Sequence, residues 1–294
     1  MKRYKAVFFD WDGTAVYART APSDRVIEAM RPLLGQGVNL AVISGTTIEN
    51  IAGGRLHEAF TPGERRHLFY GLARGALNYR FDEQGALLGF ASGVPERAAL
   101  LRVHEACFRL HQWLLERHDL PTDIVFSRPN YCKLDLMASA PRGDRLFMQD
   151  GEMARLNALL ADHGVSGGVR SLIDRAEALG AELGVRLKAT TDAKYLEVGP
   201  TLKSDNVDSV LAFLRARDGI QAADCSFWGD EFISVGGGPF GSDSHMMTEK
   251  TRGGDFFDVS DLCGERPEGV VCAGGGVEHF LGALREMAGA LNGE

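Results

Sequence analysis

The sequence predicts an α/β fold, a Rossmann-like parallel sheet flanked by helices and interrupted by an inserted α+β segment. Three observations predict it. Short apolar runs alternate with amphipathic helical patterns in the first and last thirds of the chain, as expected of parallel strands joined by helices. The middle third runs helix, two strands, two helices, two strands, an order suited to an antiparallel sheet covered by helices. Several apolar runs also end in a polar or acidic residue, where open parallel sheets place their ligands.

AVFFD (6–10) reads as a buried strand because its apolar run is unbroken. APSDRVIEAMRPLLGQG (21–37) reads as a helix, with Ser23 as N-cap and Gly35 or Gly37 near its end. Pro32 predicts an early stop or a kink. VNLAVISG (38–45) is a second buried strand, and TTIENIA (46–52) starts another helix. HLFYGLA (67–73) is a third strand, followed by the hairpin ALNYRFDEQGALLGF (76–90) with Gly85 at its turn.

The middle opens with the long helix PERAALLRVHEACFRLHQWLLERH (95–118). Strands IVFS (124–127) and YCKLDLMA (131–138) follow, with Arg128, Pro129 and Asn130 turning between them. Helical patterns at 149–163 and 171–183 precede strands VRLKATT (185–191) and KYLEVG (194–199). The last third holds helix NVDSVLAFLRAR (206–217), strand CSFWGD (225–230) and a short helix beginning in SDSHMMTEK (242–250). It closes with strands DFFDVS (255–260) and GVVCAGG (269–275) and helix VEHFLGALREMAGAL (277–291). The core domain is accordingly discontinuous, residues 1–85 and 200–294, with an inserted domain over 86–199.

Composition narrows the function. The 294 residues are 45% hydrophobic and 24% charged, ordinary for a soluble globular protein with a sizeable core. A formal net charge of −8 argues against bulk nucleic-acid binding, yet leaves room for an anionic substrate at a local cationic or metal-bearing site. The five cysteines show no CxxC spacing, which argues against a disulfide framework or a structural zinc site. No stretch approaches the ~18 apolar residues of a membrane span, and the first apolar run breaks at Asp10, too short for a signal-peptide core. The expected location is cytoplasmic, with no membrane or nucleic-acid partner; the sequence leaves the oligomeric state open.

The chemistry gathers at strand and helix ends. Asp10 and Asp12, in DWDGT, end the first apolar run. One carboxylate can attack phosphorus, and a neighbouring carboxyl can protonate a leaving oxygen and then activate water. Two like charges so close call for a cation or a proton, and an oxygen-rich acidic site suits Mg²⁺. Asp230 and Asp243, flanking a glycine-rich loop, can complete that site. The Ser44 hydroxyl, with the backbone amides at Gly45 and Thr46, can hold a phosphate or simply cap a helix. Lys203, just before a helix, can neutralise a phosphate or the attacking carboxylate.

Taken in order, these clusters resemble the haloacid dehalogenase-like phosphatase superfamily. DWDGT matches its DxDGT motif, AVISG its strand ending in Ser or Thr, Lys203 its lysine before a helix, and GDE…GSD its acidic loop. The inserted segment looks like the α/β cap of subclass IIB, which includes sugar-phosphate phosphatases and phosphomannomutase-like enzymes. The resemblance implies Asp10 as nucleophile, Asp12 as general acid/base, and Thr14, Ser44, Gly45 and Lys203 around the phosphate. It also implies Mg²⁺ held by the Asp10 side chain, the Asp12 carbonyl and Asp230. Asp230 and Asp243 lie 13 residues apart, wider than the GDxxND of many relatives, so Glu231 competes with Asp243 as the second loop acid. Arg74 stands where relatives often carry Asn, an extra cation read either as a substrate contact or as a surface residue. Arg128, Asn130, Lys133 and Asp135, around the cap hairpin, are the candidate substrate contacts. The expected activity is hydrolysis of a small phosphorylated metabolite, a sugar phosphate; the alternatives are a phosphomutase and a non-catalytic phosphosugar-binding protein.

Overall fold

The computed structural model describes residues 2–139, 151–234 and 239–292. Its larger sheet has eight strands. In chain order they are β1 (Ala6–Phe9), β2 (Asn39–Ile43), β3 (Leu68–Leu72), β4 (Leu77–Phe81) and β5 (Leu87–Ser92). Then, beyond β6 (Asp123–Val125), β7 (Cys132–Asp135), β8 (Lys188–Thr191) and β9 (Tyr195–Gly199), come β10 (Cys225–Gly229), β11 (Asp255–Asp258) and β12 (Val270–Cys272). The spatial order is β12-β11-β10-β1-β2-β3-β4-β5. The six strands from β12 to β3 are parallel, and the β4–β5 hairpin adds antiparallel at one edge.

The period of two along β1 explains why its run is apolar without a break. Val7 and Phe9 face a core shared with Met30 and Leu33 of α1 (Asp24–Gly35). The neighbouring α2 (Pro62–Arg65) is a single turn held by a capping box between Thr61 and Glu64. Ala6 and Phe8 face the opposite core, with helix residues Val207, Val210 and Leu214. A strand covered on both faces keeps no polar side.

The inserted segment runs α3 (Arg97–His118), β6, β7, α4 (Glu152–Asp162), α5 (Gly168–Glu182), β8, β9. Its four strands form a separate antiparallel sheet, β6-β7-β9-β8, packed on a second core that includes Leu110, Leu134, Leu172 and Leu196. Residues 149–150 of the predicted helix 149–163 lie outside the described residues. The chain then returns through α6 (Lys203–Asp218) and closes with α7 (Gly276–Asn292).

Three local expectations change. Residues 46–52 do not open an α-helix but a series of 3-10 turns, Ile48–Asn50, Ala52–Gly54 and Leu56–Ala59. Gly53 and Gly54 adopt φ of 64° and 80°, a left-handed conformation that no α-helix passes through. The predicted short helix in SDSHMMTEK is the 3-10 turn Ser242–Met246. Pro32 does not stop α1, which continues to Gly35.

Candidate active site

Strands β10, β1 and β2 lie side by side and parallel, so their carboxyl ends open on one edge of the sheet. Asp10 follows β1, Ser44 follows β2, Asp230 follows β10, and Lys203 begins α6. The backbone secures the first two. The Asp10 amide donates to the Trp228 carbonyl at 2.9 Å, and the Ser44 amide donates to the Gly71 carbonyl at 2.9 Å.

Lys203 is the electrostatic centre. Its side chain is buried, and Nζ donates to Asp10 Oδ1 at 2.8 Å and to Asp243 Oδ1 at 2.7 Å. Burial alone would lower the lysine's pKa, but Asp10 and Asp243 outweigh it and hold the ammonium well above its ordinary value. The second oxygen of Asp243 accepts the Glu231 amide at 2.8 Å. Burial pushes the Asp10 carboxyl up to about 8, against the pull of Lys203. Burial, with Asp10 and Asp243 nearby, raises Asp230 as well, and burial beside Asp243 brings Glu231 to about 7.

This crowding fits a divalent cation. Asp10, Asp230 and Asp243 each place one carboxylate oxygen so that all three lie within 4.8 Å of one another. Repulsion and desolvation of this kind are what a bound cation offsets. Glu231 falls outside the trio; it accepts from the Ser242 hydroxyl at 2.8 Å and lines the cavity. Gly13 and Gly229 leave room for the acids: a Cβ at Gly13 would overlap the Asp230 carboxylate, and one at Gly229 would overlap that of Asp243.

The cavity above Asp10 is lined by residues of both sheets. From the core side come Asp10, Asp12, Ser44, Gly45, Thr46 and Lys203; from the inserted segment come Arg128, Tyr131, Lys133, Thr190 and Glu197. Asp12 Oδ2 accepts from Arg19 at 2.9 Å, while its Oδ1 is buried with no hydrogen-bond partner among the described residues. Arg128 also lines the cavity, and its Nε is likewise buried and unpartnered there. Lys133 reaches the cavity but is paired across the β7–β9 register with Glu197 at 2.5 Å.

Several predicted site residues take other places. Thr14 is fully buried and donates to Asp230 Oδ1 at 3.0 Å, so its hydroxyl orients an acid instead of facing the cavity. Asn130 is fully buried too; it donates to the Ala73 carbonyl, just after β3, at 2.8 Å and to Thr201 Oγ1 at 2.9 Å. Asp135 pairs with Lys194 at 2.8 Å, away from the cavity lining. Arg74 is not a surface residue. It lines the cavity, but its guanidinium donates to the carbonyls of Thr201, Lys188 and Glu197 and to Thr190 Oγ1, clasping the core to the inserted sheet.

Sequence reasoning missed Arg19, Tyr131, Thr190 and Glu197. Alternation along YCKLDLMA carries a signal for one of them: Cys132, Leu134 and Leu136 point into the core, which leaves Tyr131 and Lys133 for the other face. Arg19 lies in a loop with no periodicity to read.

The site thus sits where acids end the central strands of the eight-stranded sheet, beneath the four-stranded sheet. No protein-family model matches the sequence, and no curated protein matches it. Solved structures do match the fold. The C-terminally truncated IMP-nucleotidase of Plasmodium falciparum superposes with a TM-score of 0.57 at 13% identity, over 99% of this chain and 72% of that one. The trehalose-6-phosphate phosphatase of Aspergillus fumigatus superposes with a TM-score of 0.56 at 15% identity, over 98% of this chain and 94% of that one. Another structure of the Plasmodium enzyme is matched with a TM-score of 0.52 at 12% identity over 78% of this chain and 61% of that one. At these identities the likeness establishes the fold. No described helix is long and apolar enough to cross a membrane.

Proposed function

We propose that this protein is a Mg²⁺-dependent phosphatase that hydrolyses a small phosphorylated metabolite, a sugar phosphate, through an aspartyl-phosphate. The observation that carries the reading is the Asp10–Lys203–Asp243 chain at the end of β1, with Asp12 facing the same cavity two residues on. A surface turn needs no buried lysine between two buried carboxylates.

In this reading Asp10 attacks phosphorus as the bond from phosphorus to the leaving oxygen breaks, and Asp12 gives its proton to that oxygen. Asp12 then takes a proton from water; the water oxygen bonds to phosphorus, the bond to Asp10 breaks, and orthophosphate departs. The Arg19 contact holds Asp12 in place by one oxygen and leaves the other for the proton. Lys203 keeps the Asp10 carboxylate aligned and neutralises charge beside it. Asp10, Asp230 and the Asp12 carbonyl, with Asp243 behind them, would hold Mg²⁺, whose charge would offset that of the phosphoryl oxygens. Ser44 and the Gly45 and Thr46 amides would hold the phosphate, and the inserted sheet would exclude bulk water and select the leaving group. Arg128, with its unpartnered Nε, is the strongest candidate for contact with that group.

The test is a screen of phosphorylated metabolites with Mg²⁺ that reads free phosphate and, in parallel, isomerised sugar phosphate. Free phosphate from the wild type and its loss in Asp10→Asn are expected. Wild-type turnover in Asp10→Asn would sink the nucleophile assignment, and isomerised product without free phosphate would make the protein a mutase.

A further inference from the structure

We infer that Tyr131, a residue of the inserted segment, is a positioning residue for the turn Ser44–Gly45–Thr46, so that its hydroxyl bond to Gly45, and not the general hold between the two sheets, helps set the phosphate affinity of the core. The inference rests on the phosphatase reading, which makes this turn the phosphate cradle.

All three carbonyls of the turn are gripped from the side of the domain junction. Ser44 O accepts from the Arg74 amide at 3.4 Å, Gly45 O from the Tyr131 hydroxyl at 3.1 Å, and Thr46 O from the Ala73 amide at 2.7 Å. In a planar trans peptide the N–H points opposite to the C=O, so a grip on one carbonyl aims the next amide. The hold on Ser44 O therefore aims the Gly45 amide, and the hold on Gly45 O aims the Thr46 amide. The Gly45 amide makes no hydrogen bond among the described residues, and the Thr46 amide makes only a long one, 3.4 Å, to Ser44 Oγ. All three residues line the cavity.

Two of the three grips are backbone groups just after β3 and belong to the core itself. The third is a side chain from the other unit. Tyr131 is 2% exposed, and the Arg74 guanidinium lies 5.7 Å from its ring centroid. Burial also raises the phenol pKa, so the hydroxyl stays a donor. Tyr131 immediately precedes β7, which carries the cavity residue Lys133, and follows Asn130, which is bonded to Ala73 and Thr201. Displacement of the small sheet would therefore withdraw the hydroxyl from Gly45 and free the Thr46 amide to swing.

The experiment measures orthophosphate binding by calorimetry in Mg²⁺, with steady-state kinetics on two phosphate esters of unlike leaving group, for the wild type, Tyr131→Phe and Lys188→Met. Tyr131→Phe keeps the buried ring and removes only the donor. Lys188→Met removes another bond between the units, Lys188 to Asp205 at 3.1 Å, which does not touch the turn. Tyr131→Phe is expected to weaken orthophosphate binding and raise KM for both esters by the same factor, about two- to tenfold for one hydrogen bond, with kcat changed less than twofold. Lys188→Met is expected to lower the thermal midpoint and leave phosphate affinity unchanged. Unaltered phosphate affinity in Tyr131→Phe, or an equal loss in Lys188→Met, would overturn the inference. A wild type that binds orthophosphate with Tyr131-dependent affinity yet hydrolyses no ester overturns the phosphatase reading alone; one that binds no orthophosphate overturns both.

Discussion

Replacing Arg74 by Met tests whether the core and the inserted sheet are held together by one buried guanidinium. Arg74 is 3% exposed, stands 3.5 Å from the Glu197 carboxylate, and donates to three carbonyls and a hydroxyl. Removing one partner of a buried ion pair costs about 3–5 kcal/mol. Carbonyls left dry add to that, but the adjoining cavity can admit water to the site, and Lys133 still pairs with Glu197. A loss of about 3 kcal/mol is therefore expected.

Burial by itself would raise the Glu197 carboxyl, but Lys133 and Arg74 outweigh it and hold the group below its ordinary value. Burial pulls Arg74 down from its own ordinary value, yet an arginine remains charged at neutral pH, so the pair is ionic. A carboxyl depressed in the folded state adds stability above its unfolded value, roughly pH 4.3, and that stability is lost as pH falls through the folded value. The Arg74→Met deficit should thus be full at pH 7 and shrink in acid below about pH 4. Urea denaturation of both proteins at the two pH values checks this. A deficit below about 1 kcal/mol at pH 7, or one that is the same in acid, would refute the reasoning.

Three further outcomes are expected. Thr14→Val removes the 3.0 Å bond to Asp230 and should raise the Mg²⁺ needed for half-maximal phosphate release about tenfold, with the maximal rate restored at saturation; an unchanged titration would deny Thr14 its orienting role. Gly13→Ala meets both a φ of +89° and the Asp230 carboxylate, so it should abolish turnover while far-UV circular dichroism stays native; retained turnover would show that the DWDGT turn tolerates displacement. A thiol reagent should label Cys263 and Cys272 quickly in the native protein and the buried Cys107, Cys132 and Cys225 only after denaturation, read by mass spectrometry of labelled peptides.

Much of the fold was legible because its signals are local. Strands such as β1 and β2 are buried on both faces and so read as unbroken apolar runs. TTIENIA reads as a helix because it is apolar in the right places, yet Thr47 and Ile51 are extended and Ala52, Gly53 and Gly54 take positive φ, and of these only the paired glycines carry a signal in the sequence. In the candidate site, Asp10, Asp12, Ser44 and Lys203 were legible as polar residues that end apolar runs or begin helices, and all four reach one cavity. Arg74 was not, because its partners lie more than a hundred residues away and two of its bonds go to backbone carbonyls of the inserted strands, which carry no sequence signature.

The sequence by itself determined which strands are buried, where polar residues interrupt them, and the order of the acidic, hydroxyl and lysine clusters, because burial and periodicity act over a few residues. Only the tertiary structure decided that Thr14 serves Asp230, that Asn130 and Arg74 link the segments of the two sheets, and that Tyr131 holds Gly45. Those roles depend on which buried donor meets which buried acceptor, and packing settles that pairing between segments far apart in the chain.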